Sequence, residues 1–590
     1  MNIVGLSAFF HESACCLLRD GVLVAAAEEE RFSRVKHDSR LPVSAFRFCL
    51  EAGGIGVTEV DCVAYYEVPI LKLTRQLWSG IPMDGVPDPG RPERMIREML
   101  GWEGPVLCFE HHASHAASAF FGSGFPEAAV LTVDGVGEWA TTTYGAGRGA
   151  ALERIAEVEF PHSLGLLYSA ITSWLGFAVN DGEYKVMGLA PYGAPRFLDA
   201  MRRLVQSGPG ERFRLDLQYF DFIRGRQMFS PRLSELLGAP PRQRGDGITQ
   251  LHMDVARSVQ VVLEEILLEK VDWLHRQTGL SDLCMAGGVA LNVVANGRIL
   301  REGPFERLFV QPAAGDSGGC LGAAALAHAA MTGERPGLST DGEAMRHAFL
   351  GPRWSPEAVA ALVAATGLPA VDFRNRTAEL LEAVVDRLTR GEVVGWFHGA
   401  LEMGPRALGA RSLLADPRDP GMRDRLNRLV KKREAFRPFA PSVLADHAAE
   451  HFALDHPSPF MLETCAVTSP LALPAITHVD GSARPQTVDP AVAPRYAALL
   501  AAFERRTGCP LLVNTSFNVA GEPIVASPVD ALLSLGMSGA SGIDALVLED
   551  FLLDRADLPD GWGERLAAWT VPQRSTGPRS AISEELYTFV

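Results

Sequence analysis

The stretch Ala128-Ala129-Val130-Leu131-Thr132-Val133-Asp134-Gly135 decides the fold, because it restarts a plan already used at the beginning of the chain. An apolar, β-branched run ending in Asp-Gly reads as a buried strand entering a turn. A strand at Thr141–Tyr144 follows, then the glycine-rich turn Gly145–Gly149 and a third strand at Ile155–Phe160. At the N-terminus, Asn2–Phe9 and Ala14–Leu18 read as strands, and Arg19-Asp20-Gly21 turns into a third at Val22–Ala27. Two copies of one three-strand plan imply two related α/β halves.

Such a duplication is what actin, the sugar kinases and the heat-shock ATPases share, with the halves closing on a nucleotide, so an actin-like α/β domain is expected. The intervening sequence fits alternating elements. Pro42 opens a helix at Val43–Ala52, and Val60–Tyr66 reads as a strand. Residues 71–102, rich in Pro, Gly and Trp, are expected to be irregular and to form a substrate lid. Val255, Val259, Val262 and Ile266 mark a long packing helix that stops at Gly279. Leu283 to Asn292 reads as strand, Gly287-Gly288 turn and helix, and a glycine turn lets backbone N–H groups approach an anion. The polar stretch Thr332–Glu343 marks a domain boundary after a helix at Cys320–Met331, giving blocks 1–345 and 346–590.

His111 and His115 are four apart in an Ala-rich helical segment, so both imidazoles point one way while His112 is turned about 100° aside. Asp134 ends its strand, and Asp316 lies in the Gly-rich turn Ala313–Gly319. Two His and two Asp suit iron, zinc or manganese, although an ordinary helix surface can carry two histidines.

The formal net charge of −16 argues against a nucleic-acid partner. Between Arg406 and Arg437, however, ten Lys or Arg stand against four acids, which fits a small anionic ligand or a solvated helix face. Basic helix Arg425–Lys432, turn arginines Arg406 and Arg411, Arg437 and Arg484 belong to this half, together with strand Val393–Phe397 and the strand-turn Leu511–Asn518. Guanidinium groups on turns are shaped to grip phosphate. Nine scattered cysteines without a Cys-x-x-Cys pair suggest neither a disulfide framework nor a thiolate zinc site, and no run spans a bilayer. A cytoplasmic setting is expected.

Eight segments carry a resemblance. Glu28-Glu29-Glu30-Arg31-Phe32, the His-x3-His helix, Asp134–Glu138, Gly182–Ala190, Gly287–Asn292, Gly404–Gly409, Phe436–Phe439 and Asn514–Asn518 come in the order found in the O-carbamoyltransferases of antibiotic tailoring and nodulation-factor synthesis. The chain resembles that family over nearly its whole length. The resemblance implies an actin-like N-terminal domain similar to the tRNA threonylcarbamoyl transferase. It also implies a C-terminal α/β domain similar to threonylcarbamoyl-adenylate synthase. Carbamoyl phosphate and ATP, with Mg as a possible companion of ATP, would give carbamoyl adenylate in the second domain, and a small-molecule alcohol would take the carbamoyl group in the first.

By the same resemblance His111, His115, Asp134 and Asp316 look like metal ligands, with iron expected. Arg406, Lys431, Arg437, Arg484 and Asn514 look like the carbamoyl phosphate site, and Glu183, Lys185, Gly287, Gly288 and Asn292 the adenylate site. His11, just past the first strand, is the candidate base, a structural histidine satisfied by backbone being the alternative; Lys36 is a further catalytic candidate, and Lys36 and His37 would orient the adenylate or acceptor. Loops 71–102 and 205–248 would build the acceptor pocket. Two other readings stand beside this one: a tRNA threonylcarbamoyl transferase-like enzyme, and a non-catalytic actin-like ATP-binding protein. The acceptor's identity and the oligomeric state are left open.

Overall fold

A computed structural model describes residues 1–80, 88–224, 227–431, 433–538, 542–564 and 566. The chain forms two compact units. The first comprises Met1–Glu29 and His37–Met345; the second begins at Arg346 and also takes up Glu30–Lys36. That short N-terminal piece is a departure from the two uninterrupted blocks expected.

In the first unit, β1 (Asn2–Ser7), β2 (Ala14–Arg19), β3 (Val22–Glu28), β4 (Cys62–Tyr65) and β5 (Val106–Cys108) form a sheet in the order β3-β2-β1-β4-β5. The hairpin strands are antiparallel, while β4 and β5 join in parallel. A second sheet repeats this design. It contains β6 (Glu127–Val133), β7 (Ala140–Arg148), β8 (Ala151–Glu159), β11 (Asp282–Ala286) and β12 (Arg307–Val310), ordered β12-β11-β6-β7-β8, with the hairpin antiparallel and the crossovers parallel. The expected duplication is therefore present strand for strand, and the unit is actin-like. One boundary moves: β7 runs on through Gly145 and Gly147 instead of turning there.

Segment 71–102 is not irregular. It holds most of helix Pro69–Ser79 and all of helix Arg91–Leu100, the residues between 80 and 88 lying outside the described set. Helix Pro69–Ser79 escapes a periodicity reading because its polarity is reversed. It buries Lys72, Arg75 and Ser79 and exposes Ile70, Leu77 and Trp78. Burial of cations on a helix requires partners, and Glu67 supplies one to Lys72 at 3.2 Å. Segment 205–248 is likewise structured in part, with the hairpin β9 (Val205–Ser207) and β10 (Phe213–Leu215) and the helix Pro231–Leu237.

The second unit is built on one mixed sheet of β13 (Val371–Asp372), β14 (Val394–Phe397), β15 (Arg411–Ala415), β16 (Ala440–Leu444), β19 (Gln486–Val488), β20 (Leu511–Ser516), β21 (Ala545–Leu548) and β22 (Phe551–Asp554). Their order is β13-β22-β21-β14-β15-β20-β16-β19, while β17 (Cys465–Ala466) and β18 (Ser482–Ala483) pair separately. Its core gathers Trp396, Leu413, Leu414, Phe503, Leu512 and Val547. The expected basic helix Arg425–Lys432 is instead a short α-turn, Met422–Arg425, running into a π-helical turn, Leu426–Val430. Among the described residues no helix is long and apolar enough to cross a membrane.

Candidate active site

In the first unit the two sheets deliver four side chains to one point. Helix His111–Ser123 starts directly after β5, and the helical spacing brings His111 Nε2 and His115 Nε2 to 3.0 Å. Asp134 Oδ2, just past the end of β6, lies 3.0 Å from His111 Nε2 and 3.4 Å from His115 Nε2. Asp316 Oδ1 approaches the same two nitrogens at 3.5 and 3.8 Å. One donor atom from each residue falls within 4.8 Å of all the others, and all four residues are buried.

This donor set fits a divalent metal. Ligand bonds of about 2.0–2.2 Å place neighbouring donors roughly 3.0–3.5 Å apart, close to the 3.0–3.8 Å that separate the histidine nitrogens from each other and from the two carboxylates. Electrostatics point the same way. Burial, then the neighbouring His115, pulls His111 below the ordinary histidine value, favouring the neutral ligand form. Asp134 is also held low, since hydrogen bonds from His111 and His115 outweigh its burial. Burial, and then the charge of Asp134, pushes Asp316 well up. Two carboxylates this close in a buried site are stabilised together by a cation.

His112 does not join them. Its Nδ1 meets Thr132 Oγ1 at 2.6 Å, which makes it a packing residue, as its turned position implied.

The glycine turn reaches this cluster. Gly288 N–H donates to Asp134 Oδ1 at 2.9 Å, and Gly287 adopts φ +94°, where a Cβ would lie 2.3 Å from the Val133 carbonyl oxygen. Other members of the expected adenylate set are engaged by the fold. Glu183 accepts from Ser169 Oγ at 2.7 Å and from Asn180 and Gly182 N–H. Asn292 caps helix Val293–Glu302 and exchanges both amide atoms with Gln260. Lys185 Nζ lies 5.6 Å from the centre of the Phe177 ring.

His11 follows β1, and its main-chain N–H points at Asp316 Oδ2 at 3.4 Å. Burial pulls its imidazole down to about 3, leaving the ring neutral but weakly basic. His37 lies between Glu12 and Asp181, at 3.3 and 3.4 Å. Lys36, grouped with His37 in the sequence reading, folds with the second unit while His37 folds with the first, and its charge weighs on Lys431.

In that second unit, the loop between β14 and β15 is wound around the buried Glu402, whose Oε1 accepts from the N–H groups of Leu408, Ala410 and Arg411. Arg406 rides on this loop. The neighbouring Arg411 is fully buried against Phe397 and spends its guanidinium on the carbonyls of Pro352, His398 and Gly399, which makes it a residue of the fold.

Asn514, on β20, donates through Nδ2 to the Ala407 carbonyl at 3.2 Å, to Ser442 Oγ at 3.0 Å and to Gln486 Oε1 at 3.0 Å. A carbonyl only accepts, so the amide orientation is fixed. Asn514 Oδ1 is left buried without a hydrogen-bond partner among the described residues. Burial, then the charges of Arg406, Arg433 and Arg437, lowers Arg484 well below the usual arginine value. Lys431 is lowered too, first by burial and then by Arg433, Arg437 and Lys36. Its Nζ is held by Ser516 and Asn518, so it braces the turn after β20. The charges of Arg406, Arg433 and Arg437 thus act on Arg484, and those of Arg433 and Arg437 on Lys431, with Arg433 a cation that sequence reading did not single out.

The model of the carbamoyltransferase N-terminus matches residues 2–77 and 99–325, and that of the carbamoyltransferase C-terminus matches residues 385–555. The chain belongs to the carbamoyltransferase family. An uncharacterized protein of Synechocystis is 44% identical to this carbamoyltransferase, covering 95% of this chain and 97% of its own. Nodulation protein NolNO of Sinorhizobium fredii is 37% identical over 96% of this chain and 82% of its own length. Nodulation protein NolO of Bradyrhizobium diazoefficiens is 38% identical, with 79% and 82% covered.

The carbamoyltransferase also uses residues that sequence reasoning passed over. Glu138 accepts from the N–H groups of both Val68 and His111, tying helix Pro69–Ser79 to the helix that bears the histidines. Its place in Asp134–Glu138 is the only sequence signal for it. Phe10 lies between Lys72 and His111, 4.8 Å and 6.2 Å away. Glu29, within the quoted acidic run, accepts from the first N–H groups of helix Val43–Gly53.

Proposed function

We propose that this enzyme moves the carbamoyl group of carbamoyl phosphate, by way of carbamoyl adenylate formed from ATP, to a hydroxyl of a small-molecule natural product. The observation that carries the reading is the buried acceptor Asn514 Oδ1, whose amide holds the Ala407 carbonyl next to Arg406, together with the charges of Arg406 and Arg437 that act on Arg484. A ligand for such a place is an amide donor at one end and a dianion at the other, which describes carbamoyl phosphate. The guanidinium groups bind its phosphate and stabilise it as it leaves. Water cleaves carbamoyl phosphate to carbamate and inorganic phosphate; the carbamate oxygen then bonds to the α-phosphorus of ATP as the bond to the bridging oxygen breaks and pyrophosphate departs with the electron pair.

Transfer to the alcohol is assigned to the first unit. His111, His115, Asp134 and Asp316 would hold a divalent metal, iron by family resemblance, which supplies charge stabilisation at the adenylate phosphate as AMP leaves. Gly287 and Gly288 give the adenylate close backbone approach, while Glu183 and Asn292 keep the surrounding turns in shape. Lys185 adds positive charge on that side. His11 takes the acceptor's proton as the new C–O bond makes it acidic. Lys36 acts in the second unit, with Arg406, Arg437 and Arg484.

Purified enzyme given ATP and carbamoyl phosphate should release pyrophosphate; none released with either substrate in excess would end this reading. His115→Ala should keep pyrophosphate release, lose acceptor carbamoylation by at least a hundredfold, and carry much less metal by elemental analysis. Full metal content in that variant would remove His115 from the ligand set. A mass-spectrometric screen of alcohols for one added carbamoyl group identifies the acceptor.

A further inference from the structure

Gln486, on β19, lies just after Arg484 in the chain and is buried, yet the chemistry described so far gives it no part. Its amide is engaged at both ends. Nε2 donates to the Leu408 carbonyl at 2.7 Å, while Oε1 accepts from Ser442 Oγ at 2.6 Å and from Asn514 Nδ2 at 3.0 Å. Ser442, opposite it on β16, and Asn514, on β20 next to β16, are buried as well.

The sense of these bonds is fixed from the Leu408 end. The Leu408 N–H donates to Glu402 Oε1 at 2.8 Å, and the following N–H, of Gly409, donates to Ser412 Oγ at 3.1 Å. Gly409, at φ +105°, is pressed on Tyr496, where a Cβ would come within 2.4 Å of the ring. The Leu408 carbonyl therefore keeps its direction. A carbonyl only accepts, so Gln486 must present its nitrogen there and its oxygen to Ser442 and Asn514.

A serine hydroxyl can face a neighbour as donor or as acceptor. Because Ser442 gives its proton to Gln486 Oε1, its lone pairs are what remain for Asn514 Nδ2, 3.0 Å away. Gln486 thus sets the polarity of both side chains that hold the Asn514 amide, the Ala407 carbonyl being the main-chain partner.

We infer that Gln486 is the positioning residue that makes the second unit selective for an acyl phosphate bearing an N–H donor. It acts through Asn514. With Gln486 in place, a turned-over Asn514 would set Oδ1 against the oxygens of Gln486 and Ala407; with it gone, Ser442 is free to donate to the turned-over amide. The inference rests on the carbamoyl phosphate reading and adds to it the residue that enforces the choice of a carbamoyl over an acetyl group of the same shape.

Competition binding on the full chain, with carbamoyl phosphate, acetyl phosphate and inorganic phosphate as probes, tests it. Gln486→Leu should reduce the preference for carbamoyl over acetyl phosphate about fivefold and leave inorganic phosphate affinity within about twofold, since a turned-over acceptor loses a hydrogen bond but no charge. Gln486→Glu keeps an oxygen towards Asn514, so its preference should stay near native even as the added charge weakens both acyl phosphates alike. A native preference in Gln486→Leu overturns the assignment. Equal loss of affinity for all three probes does so too, as does a loss of preference in Gln486→Glu as large as in Gln486→Leu. A native enzyme with no preference removes the carbamoyl phosphate reading itself, and this inference with it. Thermal melts identify a misfolded variant, and Gln486→Met, which fills a similar length, repeats the measurement if leucine unfolds the sheet.

Discussion

Asn514 shows how much one side chain can decide. With its Nδ2 committed to Ala407, Ser442 and Gln486, its oxygen can only receive an N–H, and carbamoyl phosphate has one where acetyl phosphate has a methyl group. An unpaired buried acceptor costs about 1–3 kcal/mol, so the enzyme should bind acetyl phosphate ten- to a hundredfold more weakly than carbamoyl phosphate. Asn514→Leu should shrink that ratio towards one; an unchanged ratio in competition assays would show that another group reads the amide. His456 permits a test of charge. Its hydrogen bond to Glu463, helped by Asp455, raises the imidazole to about 9. The folded value exceeds the unfolded one of about 6.5, so the stabilisation is complete below pH 6.5 and is lost as pH rises through 9. Partial exposure keeps it under about 1 kcal/mol. Denaturant midpoints between pH 6 and 10 should fall slightly in the native enzyme and stay flatter in His456→Gln. At this scale the sequence told His112 from His111 by helical angle alone. Composition and spacing did not separate Arg406 from Arg411, and only the resemblance did, because the row of carbonyls that takes up Arg411 comes from residues distant in the chain.

Among elements, the first turn of helix His111–Ser123 is the one on which the metal cluster depends. Glu138 accepts from its His111 N–H and from the Val68 N–H, both near the starts of helices. Glu138→Ala would strand two donors, at a cost of about 2–4 kcal/mol. Glu138→Gln keeps an acceptor oxygen and should recover most of it. Thermal melts together with bound-metal analysis check this, and an alanine variant with native stability and full metal content would show that the carboxylate is dispensable. The repeated hairpins were legible because alternating apolar runs and Asp-Gly turns act locally. Helix Pro69–Ser79 was not, since its apolar residues face outward and its cations inward. The π-helical turn Leu426–Val430 was equally hidden, because a π-turn has no distinct hydrophobic period.

At the level of the whole molecule, the boundary near residue 345 followed from composition, whereas the allegiance of Glu30–Lys36 did not. A seven-residue piece is too short to announce its partner. Within the second unit, Arg31 donates to the Gly404 carbonyl at 2.8 Å, and Arg34 donates to those of Ile524 and Pro523 while facing Asp530 at 3.4 Å. A fragment starting at Arg346 loses these contacts and should melt several degrees below the same fragment supplied with residues 30–36 by fusion. Equal melting of the two would show that the strap adds nothing.

The strap also sets a rule for recombination between relatives. A hybrid spliced once, near residue 345, inherits Gly404 and Asp530 from one parent and Arg31 and Arg34 from the other. Two parents that diverged at these positions will give a mismatched seam, and compatible offspring require the seven residues to be exchanged along with the later half.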